Sequence, residues 1–191
     1  MTSALKMLAA AVVCWMLAVP VQAADLSVGF LDARWASPSA DQKGLSPVGS
    51  SGKINYYVNH QRAYKIYGTD VSEVVYGYYD DRLFAVYVEM EGIEAFSQIR
   101  SYVQHKYGVP KISRETRGDL TTYSWKVDDT RIKFKHYETS GRMKLSFYYM
   151  PIAGRVNLEM RLEGEEPPEP IFPLTGRRQR EAIQQMELLS F

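Results

Sequence analysis

The stretch of residues 76–110 constrains the fold more than any other part of the chain, because its hydrophobic period changes halfway along it. In its first part, hydrophobic residues occupy every second position, as in a β-strand: Phe84, Val86, Val88 and Met90. In its second part they recur every three or four positions, as in an amphipathic helix: Ile93, Phe96, Ile99, Val103 and Tyr107. Gly108 and Pro110 predict the end of that helix. The pattern therefore predicts a helix that packs on a sheet.

Three turns divide the remaining alternating runs into hairpins. Asp80 with Asp81 follows a Val- and Tyr-rich run, and Asp128 with Asp129 and residues 138–141 separate three runs that end at Tyr149. Asp tolerates the backbone angles of tight turns. With one further strand in residues 55–67, the chain is predicted to be α+β. We expect an antiparallel sheet of about six strands, in the order β-β-β-α-β-β-β, with one main helix packed on one face.

Changes in composition predict the domain boundaries. All 14 tyrosines lie between Tyr56 and Tyr149, which places the main domain there. Alternation of Val156, Leu158 and Met160 predicts an additional edge strand. In chain order, the predicted parts are a signal peptide (1–23), a linker or N-terminal extension (24–53), the α+β domain (54–150), the edge strand (151–164), and a Pro-rich segment with a short C-terminal tail helix (165–191).

The first 23 residues are typical of an export signal. Lys6 gives a positive start, residues 7–19 are apolar, and residues 21–23 offer the small side chains that a signal peptidase reads. The apolar run is short for a membrane-spanning helix. We expect cleavage after Ala23 and a periplasmic or secreted location. Lipidation of Cys14 is the alternative, although Val13 stands where a small residue is required.

Several kinds of catalytic and metal-binding site are not expected in the chain that remains after cleavage. Cys14 is the only cysteine, so its loss removes disulfides and thiolate sites. The three histidines have no partner at metal-ligand spacing, and no cofactor is expected. The two Asp pairs are explained by turns, and no catalytic motif is present, so no catalytic residue is predicted. Without Lys6 the chain has 22 basic and 22 acidic residues, and export disfavours a nucleic acid partner.

One surface of the predicted sheet suggests binding. A two-residue turn after Val127 places Lys126 opposite Arg131, and the next hairpin places Lys135 opposite Lys144. The residues predicted on the face away from the core are Lys126, Arg131, Lys133, Lys135, Arg142, Lys144, Tyr76, Tyr78, Tyr87 and Tyr148. Cations with tyrosines suit an anionic or carbohydrate polymer. The alternative is a solvated face whose lysines prevent edge pairing.

Part of the chain resembles a known group of proteins. The segments YGYYDDRLFAVYVEMEG (76–92), YGVP (107–110) and YSW (123–125) resemble small exported proteins of unknown function from Gram-negative bacteria. The resemblance covers residues 64–149. It implies this fold and an envelope location, and it carries no catalytic residues to this sequence.

The sequence thus favours an exported periplasmic binding or assembly protein without catalytic activity. Its expected partner is an anionic or carbohydrate envelope polymer, or an envelope protein. Two alternatives stay open: an envelope hydrolase whose site is not visible in the sequence, and a structural component of the envelope.

Overall fold

The computed structural model describes residues 25–60, 63–71, 73–115 and 119–163. The predicted signal peptide and the Pro-rich segment with its tail helix lie outside these ranges. Within them, the elements are β1 (Gly29–Phe30), β2 (Ala33–Arg34), a 3-10 helix (Ser39–Asp41), β3 (Ser46–Ser51), β4 (Ile54–Val58), β5 (Tyr64–Ile66), β6 (Thr69–Val71), β7 (Glu73–Tyr79), β8 (Arg82–Glu91), α1 (Ile93–Tyr107), β9 (Lys111–Arg114), β10 (Leu120–Val127), β11 (Thr130–Tyr137), β12 (Arg142–Tyr149) and α2 (Met150–Glu163). No helix in the described ranges is long and apolar enough to cross a membrane.

The main sheet has eight antiparallel strands in the order β3-β4-β7-β8-β12-β11-β10-β9. Two small sheets, β1-β2 and β5-β6, accompany it. The prediction of about six strands with one main helix is therefore wrong. Edge strands β3 and β9 were missed because their mostly exposed residues show no hydrophobic alternation. The single strand predicted in residues 55–67 is divided between β4 and β5.

The N-terminal segment, predicted as a linker or N-terminal extension, contributes buried residues to the core. Leu26, Phe30 and Trp35 are buried. The Trp35 indole Nε1 donates a hydrogen bond to the Leu26 carbonyl at 2.9 Å, and the Thr130 hydroxyl donates to the same carbonyl at 2.7 Å. The Phe30 ring lies 4.8 Å from that of Phe147. These contacts fasten the segment to β11 and β12.

Helix α1 covers one face of the sheet, as predicted. Its buried residues are Phe96, Ile99 and Val103. Ile93, which was predicted on the same stripe, is instead 70% exposed. The helix ends at Gly108, whose N–H donates to the Gln104 carbonyl at 2.9 Å.

Helix α2 packs on the opposite face of the sheet, which we call the far face. The edge strand predicted for residues 151–164 is therefore wrong. The buried side chains of α2 recur at helical spacing: Ile152, Ala153, Val156 and Met160. Lys53 Nζ lies 3.3 Å from Glu159 Oε2, and the Tyr79 hydroxyl donates to the same carboxylate. The hydrophobic residues that suggested a strand, such as Val156 and Met160, also fit the period of a helix.

Candidate functional site

The far face has a covered half and a basic half. Helix α2 packs over β4, β7 and β8, where it buries a cluster that includes Tyr56, Phe84 and Tyr87. Strands β9 to β12 carry the basic half. The predicted pairings of Lys126 with Arg131 and of Lys135 with Lys144 are both observed. We define the basic face as Lys111, Lys126, Arg131, Lys133, Lys135 and Lys144.

A pocket of about 250 Å³ lies where α2 meets the basic face. One wall carries cationic and hydroxyl groups from β11 and β12: Arg131, Lys133, Lys135, Lys144 and Ser146. Another wall is apolar and aromatic: Ile54, Tyr56, Phe84, Tyr87, Tyr148, Met150, Ala153 and Val156. Asn157 of α2 completes the lining, and no Asp or Glu of the described ranges belongs to it. The arrangement suits a ligand that has both an anionic group and a less polar ring.

An open groove of about 720 Å³ extends from the pocket across β9, β10 and β11. Arg131, Lys133 and Lys135 line both the groove and the pocket. Lys111 and Lys126 line the groove, together with one acidic residue, Glu115. Because three cations are shared, the groove and the pocket form one continuous basic surface.

The lysines of the pocket are partly desolvated. Burial lowers the pKa of the Lys133 ammonium, and the charges of Lys135 and Arg131 lower it further. Lys133 Nζ lies 5.4 Å from the centre of the Tyr148 ring, and Lys144 Nζ lies 5.5 Å from that of Tyr87. These distances allow cation–π attraction. Lys144 is 8% exposed and lines the pocket, and its partner across the sheet is Glu89 of β8.

Arg142 belongs to an ion pair rather than to the pocket. Its Nη2 donates to Glu89 Oε1 at 3.0 Å and its Nε to the same oxygen at 3.3 Å. The Glu89 side chain is buried, whereas more than half of the Arg142 side chain is exposed. The contact compensates a buried carboxylate. The ion pair with Glu89 therefore explains Arg142, and this pair was not predicted from the sequence.

Tyr76 and Tyr78 were assigned to the wrong face. They pair directly with Val86 and Leu83, and directly paired residues share a face, so both rings lie in the core beneath α1. The Tyr76 hydroxyl donates to the Tyr64 hydroxyl at 3.1 Å. Both tyrosines are inaccessible to a ligand. Tyr87 and Tyr148 do line the pocket.

Ser146, Tyr56 and the wall formed by α2 were not predicted from the sequence. Ser146 lies between Lys144 and Tyr148 in the alternation of β12, so the predicted register could have identified it. Tyr56 and the helical wall carry no such signal, because their place depends on packing between distant segments. In the described ranges, no group of three His, Cys, Asp or Glu residues could hold a metal ion.

Comparisons with known proteins leave the family of this chain open. No protein-family model matches it, and no curated protein matches it. Among solved structures, it is similar to a DUF4309 family protein, YjgB, from Bacillus subtilis. The two share 13% identity, the alignment covers 59% of this chain and 71% of the other, and the TM-score is 0.34. A TM-score this low does not establish a shared fold, so function is inferred from the geometry of this chain alone.

Proposed function

We propose that this protein is an exported, non-catalytic binding protein of the cell envelope, and that its basic face binds an anionic polymer. The observation that carries the proposal is the pocket. Four cations from two adjacent strands line it, together with Tyr87, Tyr148 and other aromatic side chains, and its described lining contains no carboxylate. Such a wall attracts negative charge and offers ring faces to sugars.

Two cross-strand pairs of the basic face bring like charges together. Like charges directly opposite in a sheet are unfavourable on a scale of about 0.2–1 kcal/mol per pair. The fold nevertheless places Lys126 opposite Arg131 and Lys135 opposite Lys144. The lowered pKa of Lys133 also indicates a cost, because the protonated, positively charged form of this side chain is disfavoured in the folded protein. Glu89 of β8, which lies opposite Lys144, offsets part of this repulsion, and a bound anion would offset more of it.

Export is supported by residues 1–23, whose pattern is that of a cleaved leader. Edman sequencing of the protein from a periplasmic extract should give Ala24-Asp25-Leu26 as its first residues. A product that retains Met1, or one that carries a lipid on Cys14, would contradict this part of the proposal.

Charge reversal tests the binding surface. We expect Lys133→Glu with Lys135→Glu to weaken binding to alginate, a uronic acid polymer, by about tenfold or more, because each lost contact to a charged group is worth about 1.5–3 kcal/mol. Denaturant melts should show unchanged stability, or a gain of up to about 1 kcal/mol. Wild-type binding should weaken between about 0.01 M and 1 M salt, as the Debye length falls from about 30 to 3 Å.

The matched control is Lys65→Glu with Lys106→Glu. It changes the net charge equally but lies away from the basic face, since neither residue lines the pocket or the groove. We expect this variant to retain most of the affinity. If wild type does not bind alginate at low salt, or if both double variants bind equally well, the basic face is not the binding surface.

A further inference from the structure

The position of α2 relative to the groove determines which part of a polymer can enter the pocket. The groove crosses β9, β10 and β11 and meets the pocket at Arg131, Lys133 and Lys135. Beyond the pocket, Ala153 and Val156 of α2 close the surface, since they pack on the covered half of the far face. A polymer lying along the basic face therefore stops at the helix.

The size of the pocket gives a second constraint. Its volume of about 250 Å³ is below the roughly 300–1,000 Å³ of pockets that enclose drug-sized ligands. The space accommodates one substituted ring rather than a run of several.

The walls give the orientation of that ring. Lys144 and Ser146, both buried, present an ammonium and a hydroxyl from neighbouring positions on β12. Tyr87, Tyr148 and Met150 supply aromatic and apolar surface beside them. An anionic substituent would contact the ammonium groups, and the ring face would contact the tyrosines.

We propose that the pocket recognises the terminal sugar unit of the bound polymer, a single ring that carries a carboxylate or phosphate group. This inference rests on the proposed function, since it assumes that the polymer occupies the groove. The groove then contacts the units that follow, and the pocket selects the chain end. One protein molecule binds each chain end, whatever the length of the chain.

Substitutions of two lysines allow the pocket and the groove to be tested separately. Lys144 lines only the pocket, and Lys126 lines only the groove. Calorimetric titration with glucuronic acid and with glucose 6-phosphate should show saturable binding to wild type of at least one of them. Lys144→Met should weaken this binding by about tenfold or more, whereas Lys126→Met should leave it within about twofold. Asn157→Trp, at an exposed position of α2 that lines the pocket, should block the monosaccharide without disturbing the core.

Oligouronates of two lengths test end recognition directly. We expect one protein per chain for both lengths, with Lys126→Met weakening the longer chain but not the monosaccharide. Several proteins per long chain would overturn the end site while leaving polymer binding intact. Absence of any polymer binding by wild type would instead overturn the proposed function, and monosaccharide binding could still succeed.

Further ligands identify the chemistry. Unmodified glucose should not bind, and inorganic phosphate should bind more weakly than glucose 6-phosphate. Equal binding of phosphate and the sugar phosphate would contradict a role for the ring. Binding of short-chain phosphatidylglycerol in preference to both sugar acids would assign the pocket to a lipid headgroup and overturn the sugar assignment. If Lys144→Met and Asn157→Trp both still bind the ligand as wild type does, the pocket is not the site.

Discussion

Phe96→Ala should lower the free energy of unfolding by about 3–5 kcal/mol, the usual cost of removing a buried phenylalanine from a core. Phe96 is 6% exposed and lies between α1 and the sheet. Its ring centre is 4.9 Å from that of Phe134 and 5.0 Å from that of His136. Truncation leaves a cavity between two layers of secondary structure, and these layers cannot close on it without moving α1. Urea melts followed by circular dichroism measure the loss.

Ile93→Ala is the matched control on the same helix. Ile93 belongs to the same sequence stripe but is 70% exposed. We expect its substitution to change stability by no more than about 0.5 kcal/mol. A loss below about 1 kcal/mol for Phe96→Ala, or equal losses for the two variants, would mean that the stripe does not face the sheet as the structure has it.

The hairpins were predictable because the information that determines them is local. Asp80, Asp81 and Asp128 all have positive φ, at 47°, 56° and 49°. Such angles suit two-residue hairpin turns, and Asp is one of the residues that tolerates them. Once the turn at Asp128 is fixed, alternation determines every pairing of β10 with β11. The basic face follows from that register, which is why its lysines could be placed from the sequence.

A shift of one residue in the strand pairing determines on which face of the sheet Tyr76 and Tyr78 lie. In an unbroken hairpin around Asp80 and Asp81, Tyr76 would pair with Ala85. A β-bulge after Gly77 shifts the register, so Tyr76 pairs with Val86 instead. The bulge turns Val86 and Leu83 to the same face and moves Phe84 to the other.

Gly77 shows why a bulge fits there. A Cβ at this position would lie 3.3 Å from Phe84 Cε1 and from Tyr87 Cε2. Glycine avoids this crowding and permits close packing of the two rings. A glycine within a strand pattern indicates either a bulge or a close approach, and the sequence alone does not choose between them.

The pocket was beyond prediction because one of its walls comes from α2. The hydrophobic residues of 150–163 fit a period of two as well as they fit the helical period. The choice between the two depends on the surface that covers them, which is formed by residues as distant as Ile54, Phe84 and Tyr87. Tertiary packing thus determined the secondary structure here, and with it the end of the basic groove.

Ile152→Ala should destabilise the protein by about 2–5 kcal/mol, the range found when a buried isoleucine is truncated in a core. Ile152 is buried near the start of α2, against the cluster on the far face. Its loss should also weaken binding at the pocket, because Ala153 and Val156 next to it on α2 form part of the pocket wall. Denaturant melts and the glucuronic acid titration measure the two effects.

Leu158→Ala removes the same number of carbon atoms from the same helix and is its control. In α2, Leu158 is 61% exposed, so its truncation should cost no more than about 0.5 kcal/mol. In an edge strand over 151–164 the two losses would be similar, because Leu158 would share the packed face with Ile152, Val156 and Met160. A loss for Leu158→Ala as large as that for Ile152→Ala would therefore favour the strand over the helix. It would also remove the helical wall on which recognition of the polymer end depends.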